Sequence, residues 1–251
     1  MPETAQCFVE TYDQIILHPK VREEYGAGAY YNVGDWTAAG EGAGQEAASR
    51  ALVARHIALA ALDRPGLAVV DVGCGLGQST ADLVAARPDA SVVGVNLSTA
   101  QLAAAHARFP DLSFAAMDAA VLPLAPASVD RVIAVEAVFH FNSRAAFLKA
   151  AARSLVPGGL MVFTDVLFTE DSAPWDWWVP EINRGQRLDD YAQFLADCGL
   201  TARMIEDITP FTWTPYCAHL RESGRESADR IEPWVAHYLM VVAEPCSSKI
   251  D

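Results

Sequence analysis

Three glycines at alternate positions occur in the segment 71–77, DVGCGLG, directly after a short β-rich run. Glycines in this arrangement let the backbone approach a ligand closely and turn into a helix N-terminus, whose N–H groups bind anionic or polar groups. The spacing is GxGxG and differs from the GxGxxG of nicotinamide-dinucleotide binders. Since a tight strand-to-helix turn can carry the same glycines, the loop alone indicates only a candidate ligand site.

Further polar residues follow the other predicted strands. They are Asn96 after the second strand, Asp118 after the third, Glu136 and His140 after the fourth, and Asp165 after the fifth. The carboxyl ends of parallel strands meet at one edge of a sheet, which is where open α/β sheets bind ligands. An amide can bind ribose hydroxyls, a carboxylate can accept from an adenine amine, and a histidine can act as a general base. Each residue also has a structural interpretation as a turn or helix cap.

The elements that must position these residues alternate between strand and helix. Apolar runs predict strands at 67–71, 91–95, 112–116, 129–135, 160–165, 202–208 and 237–243. Helical periodicity and capping residues predict helices at 4–17, 45–62, 79–86, 98–109, 144–155 and 189–198, with a turn at 157–159. This alternation predicts an α/β fold with a mostly parallel sheet that is covered by helices on both faces.

Composition excludes several classes of function. The chain has 251 residues and a hydrophobic fraction of 52%, which predict one large α/β domain. Its formal net charge of −14 predicts that the surface repels phosphate backbones and anionic membranes. No apolar run approaches the roughly 20 residues of a membrane helix, and the N-terminus lacks a basic signal-peptide region. Five scattered cysteines without a CxxC pair predict free thiols, no metal site and a cytoplasmic location.

From about Tyr30 to Asp165 the chain resembles the class I S-adenosylmethionine-dependent methyltransferases. The segments that carry the resemblance are VVDVGCGLGQST, VVGVNLSTAQL, MDAAVLPLAPASVDRVIAVEAVFHF and LVPGGLMVFTDVL. The most similar subgroup contains the tocopherol and sterol methyltransferases and the sugar O-methyltransferases of natural-product biosynthesis, that is, of secondary metabolism. The resemblance implies a Rossmann-like, seven-stranded sheet whose last strand is antiparallel. It also implies S-adenosyl-L-methionine as cofactor and S-adenosyl-L-homocysteine as its product.

The resemblance further implies which residues bind the cofactor. They are Tyr31, Trp36, Asp71, Gly73, Gly75, Gly77, Asn96, Leu97, Gln101, Asp118, Ala119 and Glu136. In this assignment the glycines line the amino-acid end, and the backbone around Glu136 holds the methionine moiety. Tyr31 and Trp36 close over the sulfonium. Asn96 departs from the acid that is commonest across the wider class, which could weaken ribose binding without changing the cofactor.

The chain is expected to divide into two parts, and two insertions in the second part are expected to form the acceptor pocket. Residues 1–44 are expected to provide an N-terminal helix and a lid, and residues 45–251 the methyltransferase domain. Acceptor-cap insertions are expected near 166–188 and 209–233. Both insertions are aromatic-rich, and the expected pocket residues are Phe168, Trp175, Trp178 and Trp213. The same aromatics could instead form the core of a small cap.

The expected reaction is methyl transfer to a small, largely apolar or aromatic acceptor. A hydroxyl acceptor needs a general base, for which His140 is the candidate, oriented by Asp165. The alternative is C-methylation of an alkene or aromatic carbon, with aromatic faces stabilising a cation and Glu170 removing the proton. An amine held by cation–π contact also fits an aromatic pocket.

Three other classes are weighed against a small-molecule methyltransferase. The glycine spacing and Asn96 disfavour a nicotinamide-dependent oxidoreductase, and the presence of the glycine loop, Asp118 and His140 disfavours an inactive binding subunit. No basic patch supports RNA as the acceptor, and no NPPY-type motif supports methylation of a base or of glutamine. The expected partner is a small molecule, and a homodimer is left open.

Overall fold

The computed structural model describes residues 3–170 and 179–246, with the side chains of 3–8 and 22–24 left aside. Within these ranges seven strands form one sheet. They are β1 (Ala68–Val72), β2 (Ser91–Asn96), β3 (Ser113–Ala116), β4 (Val129–Ala134), β5 (Leu155–Phe168), β6 (Leu200–Asp207) and β7 (Val235–Pro245). Their order in the sheet is β3-β2-β1-β4-β5-β7-β6. Strands β2 and β3 lie on one side of β1, and β4 and β5 lie on the other. The carboxyl ends of β1 and β4 therefore form the topological switch point, where such sheets bind ligands.

Strand direction agrees with the prediction. The pairs that join β1 to β2 and β4, β2 to β3 and β4 to β5 are parallel, whereas β7 is antiparallel to both of its neighbours, β5 and β6. The predicted seven-stranded Rossmann-like sheet with an antiparallel last strand is therefore confirmed.

The predicted turn at 157–159 is wrong. Val129 pairs with Leu155 and Arg131 with Leu160, so β5 carries extra residues as a bulge and remains in the sheet. Gly158 accommodates the bulge at φ +78°, a conformation that other residues rarely adopt.

Helices cover both faces of the sheet. The described helices are α1 (Glu3–Ile16), α2 (Pro19–Tyr25), α3 (Trp36–Ala39), α4 (Gln45–Leu59), α5 (Gln78–Ala86), α6 (Thr99–Arg108), α7 (Arg144–Ser154), α8 (Tyr191–Asp197), α9 (Trp213–Glu222) and α10 (Ser227–Ile231). On one face Phe147 and Leu148 of α7 pack against Phe163 of β5, and on the other Leu52 of α4 packs with Val162. Central strands that are buried on both faces appear as continuous apolar runs, which is why the sequence pattern located them.

Helix caps fix two of the predicted boundaries. Ser98 accepts the backbone N–H of Gln101 at 3.0 Å and starts α6, as the capping box predicts. Gly199, at φ +82°, follows α8 in the left-handed conformation of a C-terminal cap. Helices α2, α3, α9 and α10 were not predicted from the sequence.

The N-terminal helix packs against the strand ends. Asp13 of α1 accepts hydrogen bonds from Ser98 Oγ at 2.8 Å and from Gln101 Nε2 at 2.7 Å. This contact places α1 over the loops that follow the strands, where it contributes to the site described below.

Candidate active site

A cavity of about 130 Å³ lies at the carboxyl ends of the strands, bounded by α1 and by the chain before α3. Nine of the twelve predicted cofactor residues line it: Tyr31, Gly73, Gly75, Asn96, Leu97, Gln101, Asp118, Ala119 and Glu136. His140 lines it as well. The structure thus brings residues from four separate strand ends together around one cavity.

The glycine loop presents an open backbone to the cavity. The N–H groups of Gly73 and Cys74 both donate to the carbonyl of Val95, at 2.8 and 3.1 Å, which anchors the loop to β2. Gly75 has φ +53°, and a Cβ built there would meet only Gln101 Oε1, at 3.8 Å. This leaves space along the Gly75 backbone, so the loop fits the amino-acid end of an S-adenosylmethionine molecule.

Asp71 and Gly77 support the loop without lining the cavity. Asp71 is buried and accepts hydrogen bonds from Ser79 Oγ at 2.6 Å and Thr80 Oγ1 at 2.7 Å. Burial raises the pKa of Asp71 to about 6, although both hydroxyls favour its charged form. A Cβ on Gly77 would lie 2.6 Å from Phe114 Cζ, so this glycine permits close packing. Neither residue lines the cavity, so cofactor contact by Asp71 and Gly77 stays a prediction.

A chain of hydrogen bonds links the predicted ribose-binding residues to α1. Asn96 Nδ2 donates to Gln101 Oε1 at 3.0 Å, and Gln101 Nε2 donates to Asp13 Oδ1 at 2.7 Å. Asp13 was missed because nothing in its local sequence distinguishes it from other acidic residues of an exposed helix.

At the predicted adenine side, Asp118 is held by two donors. Its Oδ1 accepts from the Ala120 N–H at 2.9 Å, and its Oδ2 accepts from Asn142 Nδ2 at 3.3 Å. Asn142 also lines the cavity and was not predicted.

Glu136 uses its side chain, whereas only its backbone was expected to act. It has φ +49°, an uncommon conformation for a residue with a side chain, and its N–H donates to Thr164 Oγ1 at 2.7 Å. Its Oε2 accepts from the Val33 N–H at 2.7 Å and from the Tyr238 hydroxyl at 2.5 Å. Burial raises the pKa of Glu136 to about 7, despite these two hydrogen bonds, which lower it.

His140 ends a short 3-10 helix, Val138–His140, after β4. Its ring centroid lies 5.3 Å from that of Tyr12 in α1 and 4.0 Å from that of Phe139. Tyr12 lines the same cavity, so an aromatic side chain that the sequence analysis did not select stands beside the candidate base.

Asp165 does not approach His140. It is fully buried, with its Oδ2 2.8 Å from Arg144 Nε and accepting from the Tyr191 hydroxyl at 2.5 Å. Alternate residues of a strand point to opposite faces, and Thr164 meets the Glu136 backbone, so Asp165 points towards α7 and α8. The predicted orientation of the histidine by Asp165 is therefore corrected to a buried ion pair in the core.

Four more predicted residues lie away from the cavity. Glu170 is exposed, and Phe168 packs edge-on against Phe139 at 5.7 Å. Trp213 Nε1 donates to the Glu232 carbonyl at 3.0 Å.

Trp36 is the fourth of these residues. Its Nε1 donates to the Val33 carbonyl at 2.8 Å, and its ring lies 4.7 Å from that of His219. Neither Trp36 nor Glu170 lines the cavity, so closure over the sulfonium by Trp36 and a base role for Glu170 stay predictions. Trp175 and Trp178 lie outside the described residues.

The cysteines and the surface add no competing site within the described ranges. Cys74, Cys198, Cys217 and Cys246 are free thiols. The described residues contain no cluster of three or more metal-ligating side chains. None of the described helices is long and apolar enough to cross a bilayer.

Comparison with known proteins agrees with the fold. Residues 70–163 match the family described as a methyltransferase domain. The 27-O-demethylrifamycin SV methyltransferase of Amycolatopsis mediterranei is 30% identical over 182 residues, which are 67% of this chain and 64% of that protein. The erythromycin 3″-O-methyltransferase of Saccharopolyspora erythraea is 29% identical over 84% of this chain and 69% of that protein.

A solved structure shares the fold across nearly the whole chain. The geranyl diphosphate C-methyltransferase of Streptomyces coelicolor A3(2), in complex with Mg²⁺, geranyl diphosphate and S-adenosyl-L-homocysteine, superposes with a TM-score of 0.72 at 18% identity. The superposition covers 97% of this chain and 100% of that one. Residues 70–163 therefore belong to the methyltransferase-domain family, and most of the chain is similar to proteins named as methyltransferases. Across eight curated relatives, the matched part spans between 36% and 69% of the relative's own length.

Proposed function

We propose that this protein transfers a methyl group from S-adenosylmethionine to a hydroxyl oxygen of a small natural-product acceptor. The observation that carries the proposal is the shared cavity, in which the glycine loop, Asn96, Asp118 and His140 converge. Two similar proteins are named as methyltransferases of rifamycin and erythromycin compounds, which supports a natural product as the acceptor and oxygen as the methylated atom.

The chain's own residues divide into those that position the cofactor and those that act on the acceptor. Gly73 and Gly75 would lie against the amino-acid end, Asn96 would bind the ribose, and Asp118 would accept from the adenine amine. When bound, S-adenosylmethionine supplies a methyl group that is already activated by the sulfonium. The protein's task is then to hold an oxygen lone pair about 3 Å from that methyl and to exclude water.

His140 would take the proton that the acceptor hydroxyl loses as its oxygen forms the new bond. A neutral imidazole can accept this proton and then release it to water. Tyr12 and Phe139, which flank the ring, would hold it in place by packing. Because Asp165 pairs with Arg144, no carboxylate relay through Asp165 belongs to this mechanism.

The test is a comparison of His140→Ala with His106→Ala, which changes an exposed histidine of α6 outside the cavity. Each variant is incubated with radiolabelled S-adenosylmethionine and a panel of macrolide and ansamycin hydroxyl acceptors. We expect His140→Ala to lose about 10²- to 10⁴-fold in turnover while its S-adenosylhomocysteine affinity stays within about twofold of wild type. His106→Ala should behave as wild type.

Two results would contradict the proposal. A His140→Ala enzyme with wild-type turnover would remove the histidine from the mechanism. Products that carry the new methyl on carbon, located by NMR, would replace oxygen with carbon methylation. In that outcome Glu170, which is exposed, remains the base that the sequence suggested.

A further inference from the structure

Two hydrogen-bond acceptors on the cavity wall are not saturated by the protein. Asn32 is 4% exposed and lines the cavity, and its Oδ1 is buried without a partner among the described residues. Its Nδ2 donates to the Ser49 carbonyl at 3.3 Å. This bond fixes the orientation of the amide, because a flipped amide would place two oxygens against each other. A buried acceptor without a partner is costly, so a ligand donor there would be stabilising.

A backbone hydrogen bond from the residue after Asn32 holds the side chain of Glu136 near Asn32. The N–H of Val33, the residue after Asn32, donates to Glu136 Oε2 at 2.7 Å, and Tyr238 donates to the same oxygen. Oε1 makes no hydrogen bond within the described ranges, and Glu136 lines the cavity. One carboxylate oxygen is therefore committed to the protein, and the other remains available to a ligand.

The surroundings of this carboxylate supply hydrogen bonds but no positive charge. The titratable side chains that interact with it are phenols: Tyr12 of α1, Tyr25 of α2, Tyr216 of α9 and Tyr238 of β7. Buried carboxylates in proteins are normally paired with a cation, and none of the described residues provides one here. Phenol rings around a carboxylate are also a favourable setting for an organic cation.

We propose that Asn32 Oδ1 and Glu136 Oε1 form an anionic corner that binds an ammonium group of a ligand in this cavity. The ammonium comes from one of two sources: the α-amino group of the cofactor or an amine on the acceptor. The inference rests on the proposed function, since it assumes that cofactor and acceptor share this cavity. It adds two side chains, Asn32 and Glu136, to the site for the methionine moiety of the cofactor, where only backbone contacts were predicted.

The first experiment tests the cofactor as the source. Calorimetry at pH 7.0 measures S-adenosylhomocysteine and its analogue without the amino group, 5′-S-(3-carboxypropyl)-5′-thioadenosine. The proteins are wild type, Glu136→Gln and Asn32→Ala, with Glu46→Gln as a matched control because Glu46 lies on α4 outside the cavity. We expect each corner variant to weaken S-adenosylhomocysteine at least tenfold and to leave the analogue unchanged.

Proton release provides a second readout that a merely structural role would not change. Because the pKa of Glu136 is about 7, an ammonium beside it would drive the carboxyl to ionise and release part of a proton at pH 7. The binding enthalpy of wild type should therefore differ between phosphate and Tris buffers. This difference should disappear in Glu136→Gln, which keeps an oxygen for the Val33 N–H and is expected to fold.

The second experiment tests the acceptor as the source. The protein saturated with S-adenosylhomocysteine is probed by saturation-transfer NMR with tyramine and with 4-ethylphenol, its counterpart without the amine. If tyramine alone binds and Glu136→Gln removes the signal, the ammonium belongs to the acceptor. If both variants bind S-adenosylhomocysteine normally and tyramine shows no preference, the anionic corner is refuted. If wild type binds no S-adenosylhomocysteine, the proposed function itself fails.

Discussion

Gly75→Val should abolish cofactor binding while leaving the protein folded. The variant places a β-branched side chain on the part of the loop that faces the cavity, where the nearest protein atom to a Cβ is Gln101 Oε1 at 3.8 Å. The Cβ itself therefore meets no protein atom closer than 3.8 Å, and we expect the methyl groups to occupy space that the ligand needs. We expect S-adenosylhomocysteine affinity to fall at least about 100-fold, equivalent to about 2.8 kcal/mol.

The cost to folding should be limited to backbone strain. Gly75 has φ +53°, and a side chain in the left-handed region costs about 1–2 kcal/mol. For a chain of this size such a loss lowers the melting temperature by roughly 2–8 °C. Gly66→Val is the matched control, because Gly66 has φ +69° with nothing within 4 Å of its Cβ and lies in the α4–β1 connection. It should show a similar thermal shift and normal binding.

The assay combines calorimetry with S-adenosylhomocysteine and thermal unfolding of both variants. Undiminished binding by Gly75→Val would refute the placement of the cofactor against this loop. Loss of binding in both variants would show that strain, and not occupation of the cavity, is responsible.

Three further outcomes follow from the same geometry. Asp165→Asn should lower the free energy of unfolding by about 3–5 kcal/mol, because it leaves the buried Arg144 unpaired. Asp189→Asn, at an exposed ion pair, should not. A normal melting temperature of Asp165→Asn together with a lowered His140 pKa, measured by NMR, would restore Asp165 as the residue that orients His140. The pKa of Glu136 is raised from 4.5 to about 7, so the folded state binds the proton more tightly and its contribution to stability is lost as pH rises from about 4.5 to 7. Urea unfolding across this range should show a decline of up to about 3 kcal/mol in wild type that Glu136→Gln lacks, and parallel curves would contradict the assignment. Limited proteolysis within residues 26–44 should slow when S-adenosylhomocysteine is added, and equal cleavage rates would argue against a lid.

The sheet could be predicted because its strands are buried on both faces and alternate with amphipathic helices. Val69, Val70 and Val72 in β1 and Val132 and Ile133 in β4 show this as continuous apolar runs. The turn of the glycine loop was also predictable, since alternate glycines after a strand favour left-handed backbone, and Gly73, Gly75 and Gly77 have φ of +79°, +53° and +83°. These features place the cavity at the strand ends without any knowledge of side-chain direction.

Side-chain direction is what the sequence could not provide. Asp165 ends a predicted strand segment as a catalytic carboxylate would, but the pleat of β5 turns it towards Arg144. Trp36 lies in an aromatic cluster, yet its N–H bonds to the Val33 carbonyl and keeps the ring away from the cavity. Asp13 reaches the site only because α1 folds back over the strand ends, a long-range contact with no local signal.

The most direct test of the account is a crystal structure of this protein with S-adenosylhomocysteine. We expect the adenine beside Asp118, the ribose at Asn96, the amino-acid end along Gly73 and Gly75, and the sulfur on the side of the cavity that His140 lines. Ligand density anywhere else, or an orientation that places the sulfur away from His140, would contradict the proposed site and the base assigned to it.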